Sequence, residues 1–351
     1  MPSLAPRPDL ESLPKYVPGR TIHGAIKLAS NEVPGGPLPS VRAAITAAMG
    51  DVNRYPDSGS QALRERLATE LDVPIDRLAV GCGSVSLCQQ LIQAVCGPGD
   101  EAMFAWRSFE AYPIVTQVAH AVGVKIPLTD GYGLDLDAML AAITDRTKLI
   151  FVCNPNNPTG TVLHRDEIER FLDAVPAHVL VVLDEAYKEF VTDSEVPDGI
   201  EFTRTHNNVA VLRTFSKAYG LAGLRVGYAV ASVPIAEALR QVYVAFSVNS
   251  IAQVAAMASL DAAGELLERC QEIITERERV RNSLLDMGYD IPPTQANFVW
   301  FPLAERTVAF SEHMLDRKLI VRPFPGDGAR VTIGTPEEND LFLAAAREFL
   351  S

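Results

Sequence analysis

His178-Val179-Leu180-Val181-Val182-Leu183-Asp184 sets five consecutive aliphatic residues between a histidine and a carboxylate. A run so short and so uniformly apolar, with no polar alternation, suits a strand buried on both faces of a parallel sheet. Similar short runs lie at 78–81, 102–105, 148–152, 209–214 and 225–231. Helical patterns separate them, at 84–96 and at 165–174, where Ile168, Phe171 and Leu172 recur at helical spacing. Strands alternating with helices predict an α/β fold, with a mostly parallel central sheet flanked by helices.

The rhythm changes beyond residue 249. Residues 251–287 contain no proline, are rich in Ala, Leu, Glu and Arg, and read as one long helical stretch. A strand at 297–301, a helix at 308–317, strands at 319–322 and 330–333 and a closing helix from Pro336 then give an α+β pattern. The expected organisation is a large domain over 30–248, with 1–29 and 249–351 forming an N-terminal arm and a smaller C-terminal domain.

Composition narrows the function. Of 351 residues, 31 are Lys or Arg and 44 are Asp or Glu, a formal net charge of −13. Such a chain repels nucleic acid and anionic lipid, so any anionic ligand must be met by a few placed cations. Residues 1–20 hold five prolines and no apolar run fit for a signal peptide, and no stretch stays apolar long enough to span a membrane. Five scattered cysteines, without a Cys-x-x-Cys pair or a Cys/His cluster, read as buried thiols in a reducing compartment and not as a metal site. The expectation is a cytoplasmic protein without a metal.

The chemistry gathers where strands end, the place where α/β proteins bind ligands. Lys217 lies just past one of them, in Thr214-Phe215-Ser216-Lys217-Ala218-Tyr219-Gly220-Leu221-Ala222-Gly223-Leu224-Arg225. A lysine there is able to form a Schiff base with an aldehyde cofactor; taken alone, it reads as a surface lysine. Pyridoxal 5'-phosphate also needs a carboxylate at its ring nitrogen, donors at its phenolic oxygen and an anion cradle. Asp184 and Tyr187 answer the first two needs, although an Asp184-Glu185 pair alone would read as a strand-end cap. Asn154-Pro155-Asn156-Asn157-Pro158-Thr159-Gly160 follows another strand; its first asparagines suit a rigid turn, and Asn157 suits an amide donor. Gly81-Cys82-Gly83-Ser84-Val85 joins a strand to a helix, whose N-terminus can hold a phosphate together with Ser216 and Arg225.

These motifs, in this order, resemble the fold-type-I pyridoxal-phosphate-dependent aminotransferases of classes I and II. The similarity is greatest to the branch holding histidinol-phosphate and aromatic amino acid aminotransferases, through Lys27-Leu28-Ala29-Ser30-Asn31-Glu32, Asn53-Arg54-Tyr55-Pro56-Asp57 and Arg330-Val331-Thr332-Ile333-Gly334-Thr335. It runs from about Tyr16 to the final helix. The resemblance implies that Lys217 is the Schiff-base lysine and the base that moves the substrate proton. It further implies that Asp184 pairs with the ring nitrogen, that Asn157 and Tyr187 hold the phenolic oxygen, and that Phe109 stacks on the ring. Ser84, Val85, Ser216 and Arg225 would hold the phosphate, with Tyr55 reaching the partner subunit's cofactor in a homodimer. Arg330 would grip the substrate carboxylate, Arg322 would lie near the distal substrate, and Tyr16 would sit on a segment closing over it.

The resemblance also implies amino acid and 2-oxo acid substrates. Gly81-Cys82-Gly83-Ser84-Val85-Ser86 and Trp106-Arg107-Ser108-Phe109 look like the aromatic subgroup; histidinol-phosphate enzymes more often carry Gly-x-x-Glu or Gly-x-Asp-Glu at the first site and Pro-x-Tyr at the second. Expected activity is transfer between an aromatic L-amino acid and 2-oxoglutarate. The alternatives are a histidinol-phosphate aminotransferase and an amino-acid-phosphate decarboxylase.

Overall fold

The computed structural model describes Leu13 and residues 22–350. Its strands, in chain order, are β1 (Ile26–Lys27), β2 (Leu78–Gly81), β3 (Glu101–Trp106), β4 (Val122–Pro127), β5 (Thr147–Cys153), β6 (Leu180–Asp184), β7 (Val209–Thr214), β8 (Gly227–Val230), β9 (Phe298–Phe301), β10 (Leu319–Ile320), β11 (Arg322–Phe324) and β12 (Gly328–Thr332). Seven form one sheet in the order β2-β8-β7-β6-β5-β3-β4. All neighbours in it are parallel except β8, which runs antiparallel to β2 and β7. The expected α/β class is the one observed.

The uniform hydrophobicity of 180–183 has a direct physical cause. Val181 and Leu183 enter one buried cluster, with Ile168, Phe171 and Leu172 of the helix Arg165–Ala174. Leu180 and Val182 enter the opposite one, with Leu87 and Leu91 of the helix Ser84–Val95 and Tyr112 of the helix Ala111–Val118. Both faces of β6 are therefore covered, and each buried aliphatic side chain contributes about 1.5–3 kcal/mol of transfer free energy.

A second core gathers the helix Ala263–Asp286, β9, β12 and the helices Thr307–Asp316 and Pro336–Leu350. β9, β12 and β11 form an antiparallel sheet, and β1 pairs with β10. Leu28, Tyr187 and Ala218 also belong to this core, so the segments carrying the candidate chemistry are clamped between the two bodies.

Several expected boundaries shift. The stretch 251–287 is two helices, Ser250–Asp261 and Ala263–Asp286, broken at Ala262 (φ −97°, ψ 27°). The first packs Ala252, Ala255, Ala256 and Leu260 into the large sheet's core, so by packing the second body takes up one helix later than residue 249. The expected strand at 178 starts at Leu180, because the Val179 N–H turns back to the Pro176 carbonyl at 2.9 Å. The expected strand 319–322 divides into β10 and β11. β4 was not expected: it is the sheet's edge, largely exposed, with a glycine inside and a proline at its end, and it reads as loop.

Candidate active site

β5, β6 and β7 lie side by side, with Cys153 opposite Asp184 and Asp184 opposite Leu212. Their carboxyl ends therefore deliver 154–160, Asp184 and 215–217 to one place. In the first loop, Asn154 Oδ1 accepts from Leu163 N–H (2.9 Å) and its Nδ2 donates to the Leu163 carbonyl (3.2 Å). Asn156 Nδ2 donates to Thr159 Oγ1 at 2.8 Å, and its Oδ1 accepts from the Ser108 hydroxyl at 2.8 Å. These two asparagines brace the turn. Asn157 instead lines a cavity of about 230 Å³, together with Asp184, Tyr187, Lys217 and Arg330.

Asp184 is buried, and desolvation pushes its carboxyl up to about 6, an effect partly offset by the Tyr112 hydroxyl, which donates to Oδ2 at 2.7 Å. The other oxygen, Oδ1, is buried with no hydrogen-bond partner among the described residues. A buried acceptor left in that condition costs free energy until a donor reaches it. Lys217 donates from Nζ to the Ser30 carbonyl at 3.0 Å. Burial, then the neighbouring Arg330, Arg225 and Lys27 charges, lower its ammonium to about 7, against an opposing pull from Glu32.

At the far end, the helix Ser84–Val95 starts at the cavity with no side-chain cap and no acidic residue in its first turn. Its first N–H groups are the unfilled donors that favour an anion. Arg225 Nη1 donates to Ser216 Oγ (3.2 Å) and to the Ala222 carbonyl (2.8 Å), which fixes the guanidinium beside that terminus. Gly83 sits at φ +78°, a backbone conformation that strains any L side chain, and a Cβ there would also meet the guanidinium of Arg225.

The remaining wall comes from the small antiparallel sheet. Arg330 donates to Asn157 Oδ1 and to the Ala29 carbonyl (2.8 Å). Arg322, its cross-strand partner, is held by Glu110. Burial raises the Tyr187 hydroxyl's pKa, and its oxygen accepts from Asn31 Nδ2 at 2.8 Å. Phe109 lines the same cavity and meets Tyr112 edge to face, with centroids 5.5 Å apart.

The cavity thus brings together Ser84, Val85, Phe109, Asn157, Asp184, Tyr187, Ser216, Lys217, Arg225, Arg322 and Arg330, every expected site residue but two. Tyr55 lies outside it, 83% exposed and packed against the tilted ring of Phe246, with centroids 4.6 Å apart. Tyr16 lies outside the described residues. Tyr112, which no sequence motif marks, anchors Asp184 from the first turn of the helix Ala111–Val118, where a buried tyrosine looks like core. The stretch 27–32 carries roles its motif does not reveal: the Ala29 and Ser30 carbonyls orient Arg330 and Lys217, and Asn31 orients Tyr187. Among the described residues no His/Cys/Asp/Glu cluster could hold a metal, and no helix is long and apolar enough to cross a membrane.

These residues fit pyridoxal phosphate. The orphaned Asp184 oxygen suits a protonated ring nitrogen, the uncapped helix with Ser216 and Arg225 suits a phosphate, and the low-pKa Lys217 amine suits an aldehyde. Fold and site together define a pyridoxal-phosphate enzyme of fold type I. Comparison with known proteins gives its place within that class. The family model for aminotransferase class I and II matches residues 23–345, and the chain belongs to that family. An aromatic amino acid aminotransferase of Rhodococcus jostii is 60% identical over 340 residues, covering 97% of this chain and 94% of that protein. One of Mycobacterium bovis is 57% identical over 347 residues, covering 98% of each. A crystal structure of the Sinorhizobium meliloti histidinol-phosphate aminotransferase with pyridoxal-5'-phosphate superimposes with a TM-score of 0.88 at 29% identity, covering 98% of both chains.

Proposed function

We propose that this aminotransferase moves the amino group between an aromatic L-amino acid and 2-oxoglutarate, as a homodimer with shared active sites. The observation that carries the reading is the convergence of Lys217, Asp184 and Arg330 on one cavity. The aromatic assignment is supported by relatives of that name at 57–60% identity over nearly the whole chain. When bound, pyridoxal phosphate supplies an electron sink for the substrate's α-carbon.

The chain's own residues do the rest. Lys217 Nζ, its ammonium lowered to about 7 by burial, would take the proton from the substrate α-carbon and hand it to the carbon that was the cofactor's aldehyde. Asp184, with Oδ1 unpartnered, would hold the ring nitrogen through a hydrogen bond, and Tyr112 keeps the carboxylate from turning away. Arg330 offers the substrate carboxylate its planar fork, aimed by Asn157 and the Ala29 carbonyl. Phe109 covers one side of the cavity with apolar surface, and Asn31 fixes Tyr187.

The dimer is supported by Tyr55 and Phe246, an exposed aromatic pair, with exposed Met49, Val52 and Val244 close to them along the chain. Five free cysteines support a reducing, cytoplasmic setting. The test is a half-reaction: holoenzyme mixed with phenylalanine, tyrosine, tryptophan or histidinol phosphate, without oxo acid, and followed by absorbance. Rapid conversion of cofactor to its amine form with the aromatic amino acids is expected. Conversion by histidinol phosphate alone would overturn the assignment.

A further inference from the structure

We propose that Asn31 and Thr332 fix the direction in which the Tyr187 hydroxyl points its proton and so make Tyr187 a donor to the cavity; this rests on Tyr187 meeting the cofactor's phenolic oxygen. Asn31 is 1% exposed and stands between the two bodies. Its backbone N–H donates to Thr332 Oγ1 at 2.9 Å, and its carbonyl accepts from Asn297 Nδ2 at 3.1 Å. Thr332 ends β12, two residues after Arg330, whereas Tyr187 follows the end of β6. The Asn31 amide spans the gap between them, with Oδ1 3.0 Å from Thr332 Oγ1 and Nδ2 2.8 Å from the Tyr187 oxygen. Asn31 is at φ +56°, a left-handed conformation that asparagine and aspartate adopt more readily than other side chains.

One end of an amide accepts and the other donates, and the surrounding protons decide which end faces which partner. Thr332 Oγ1 already accepts from the Asn31 N–H, and among the described residues its own proton has one acceptor, Asn31 Oδ1. Asn297 Oδ1, also buried, has no hydrogen-bond partner among the described residues and so does not take it. Turning the Asn31 amide over would aim two N–H donors at the Thr332 oxygen and leave the hydroxyl proton buried without an acceptor, a costly arrangement. Oδ1 therefore faces Thr332, and Nδ2 faces Tyr187.

The Tyr187 oxygen thus receives an N–H, and its own proton is left for the cavity that Tyr187 lines. A donor there steadies negative charge on a phenolic oxygen, and so lowers the pKa of a proton shared between that oxygen and Lys217 Nζ. Burial raises the pKa of the Tyr187 hydroxyl itself, which keeps it protonated for this role. The titratable groups facing Tyr187 are Arg330, Cys153 and Asp184, with Lys217 Nζ 5.9 Å from its ring centroid. All four are kept in every variant below, so their influence is common to each comparison. Asn31 and Thr332 are positioning residues: they act on the cofactor through Tyr187.

The experiment is a pH titration of the holoenzyme's visible absorbance, which follows that shared proton. Tyr187→Phe removes the donor and should raise the titration midpoint by about one pH unit, a tenfold change in proton affinity. Asn31→Asp keeps the size and the left-handed backbone but offers only acceptors, so the Tyr187 proton turns toward it and the midpoint should rise by at least as much. In a Tyr187→Phe background the same substitution should add less than half of that rise, whereas a bare effect of the new negative charge would add in full. Thr332→Val is neutral and of similar shape; it frees the Asn31 amide to turn over and should raise the midpoint by about half a unit, or threefold. Thr332→Ser should restore the wild-type midpoint, and the Thr332 pair carries the test if Asn31→Asp does not fold. A wild-type midpoint in Thr332→Val, or a full additive effect of Asn31→Asp without the Tyr187 hydroxyl, would overturn the proposal. A wild-type midpoint in Tyr187→Phe contradicts the placement of Tyr187 at the phenolic oxygen instead, and the two failures are distinct.

Discussion

Two walls of the cavity treat charge in opposite ways. The wall at the ends of β5, β6 and β7 places Asp184 and Lys217 against neutral partners, a tyrosine hydroxyl and a backbone carbonyl. Burial there weakens both charges, lifting the carboxyl to about 6 and lowering the ammonium to about 7. The wall at β11 and β12 carries arginines, whose charge proteins do not remove, and Arg322 has a carboxylate for company. Groups that must exchange or share protons near neutral pH sit where desolvation tunes them; groups that must recognise an anion keep their charge.

That contrast breaks most severely at Lys217. Lys217→Ala should cut turnover by roughly 10⁴-fold or more, since the moving base is gone, with cofactor still detectable in the protein by absorbance. On the other wall, Arg330→Lys loses the planar fork and should raise the KM for the amino acid by roughly 100-fold, while cofactor retention on dialysis stays near wild type. A next-smaller effect belongs to Tyr112→Phe. It strips Asp184 of its Oδ2 donor and should weaken cofactor retention by roughly 30-fold, with amino-acid KM little moved.

The pH dependence sharpens the same distinction. Cofactor uptake by the cofactor-free protein needs the Lys217 amine uncharged and the Asp184 carboxyl ionised, and both conditions are approached as pH rises through about 7 and about 6. The uptake rate, followed by stopped-flow absorbance, should therefore increase about twentyfold from pH 6 to pH 8 and then level off. A rate that falls over that range contradicts the Lys217 reading.

The sheet was legible in the sequence because its central strands are buried on both faces and so carry unbroken aliphatic runs, as at Leu180–Asp184. Lys217, Asp184, Asn157 and Arg225 were legible because chemistry at strand ends leaves polar residues just past those runs. β4 was hidden by its exposed edge position and its glycine and proline. Tyr112 was hidden for the reverse reason: its hydroxyl serves Asp184 from within a helix otherwise packed as core, and no local pattern marks that service. The pairing of Glu110 with Arg322 spans 212 residues, a separation that no spacing argument bridges. The break at Ala262 carries no proline, and Gly264 two residues on is its one local sign; the two helices it separates pack on different cores.

The central claim is that Lys217 carries the cofactor's aldehyde. Borohydride reduction of the holoenzyme, followed by proteolysis and peptide mass spectrometry, tests it directly. The expected result is a single reduced pyridoxyl phosphate adduct on the peptide containing Lys217. An adduct on another lysine, or none on a holoenzyme that still turns over, would contradict it.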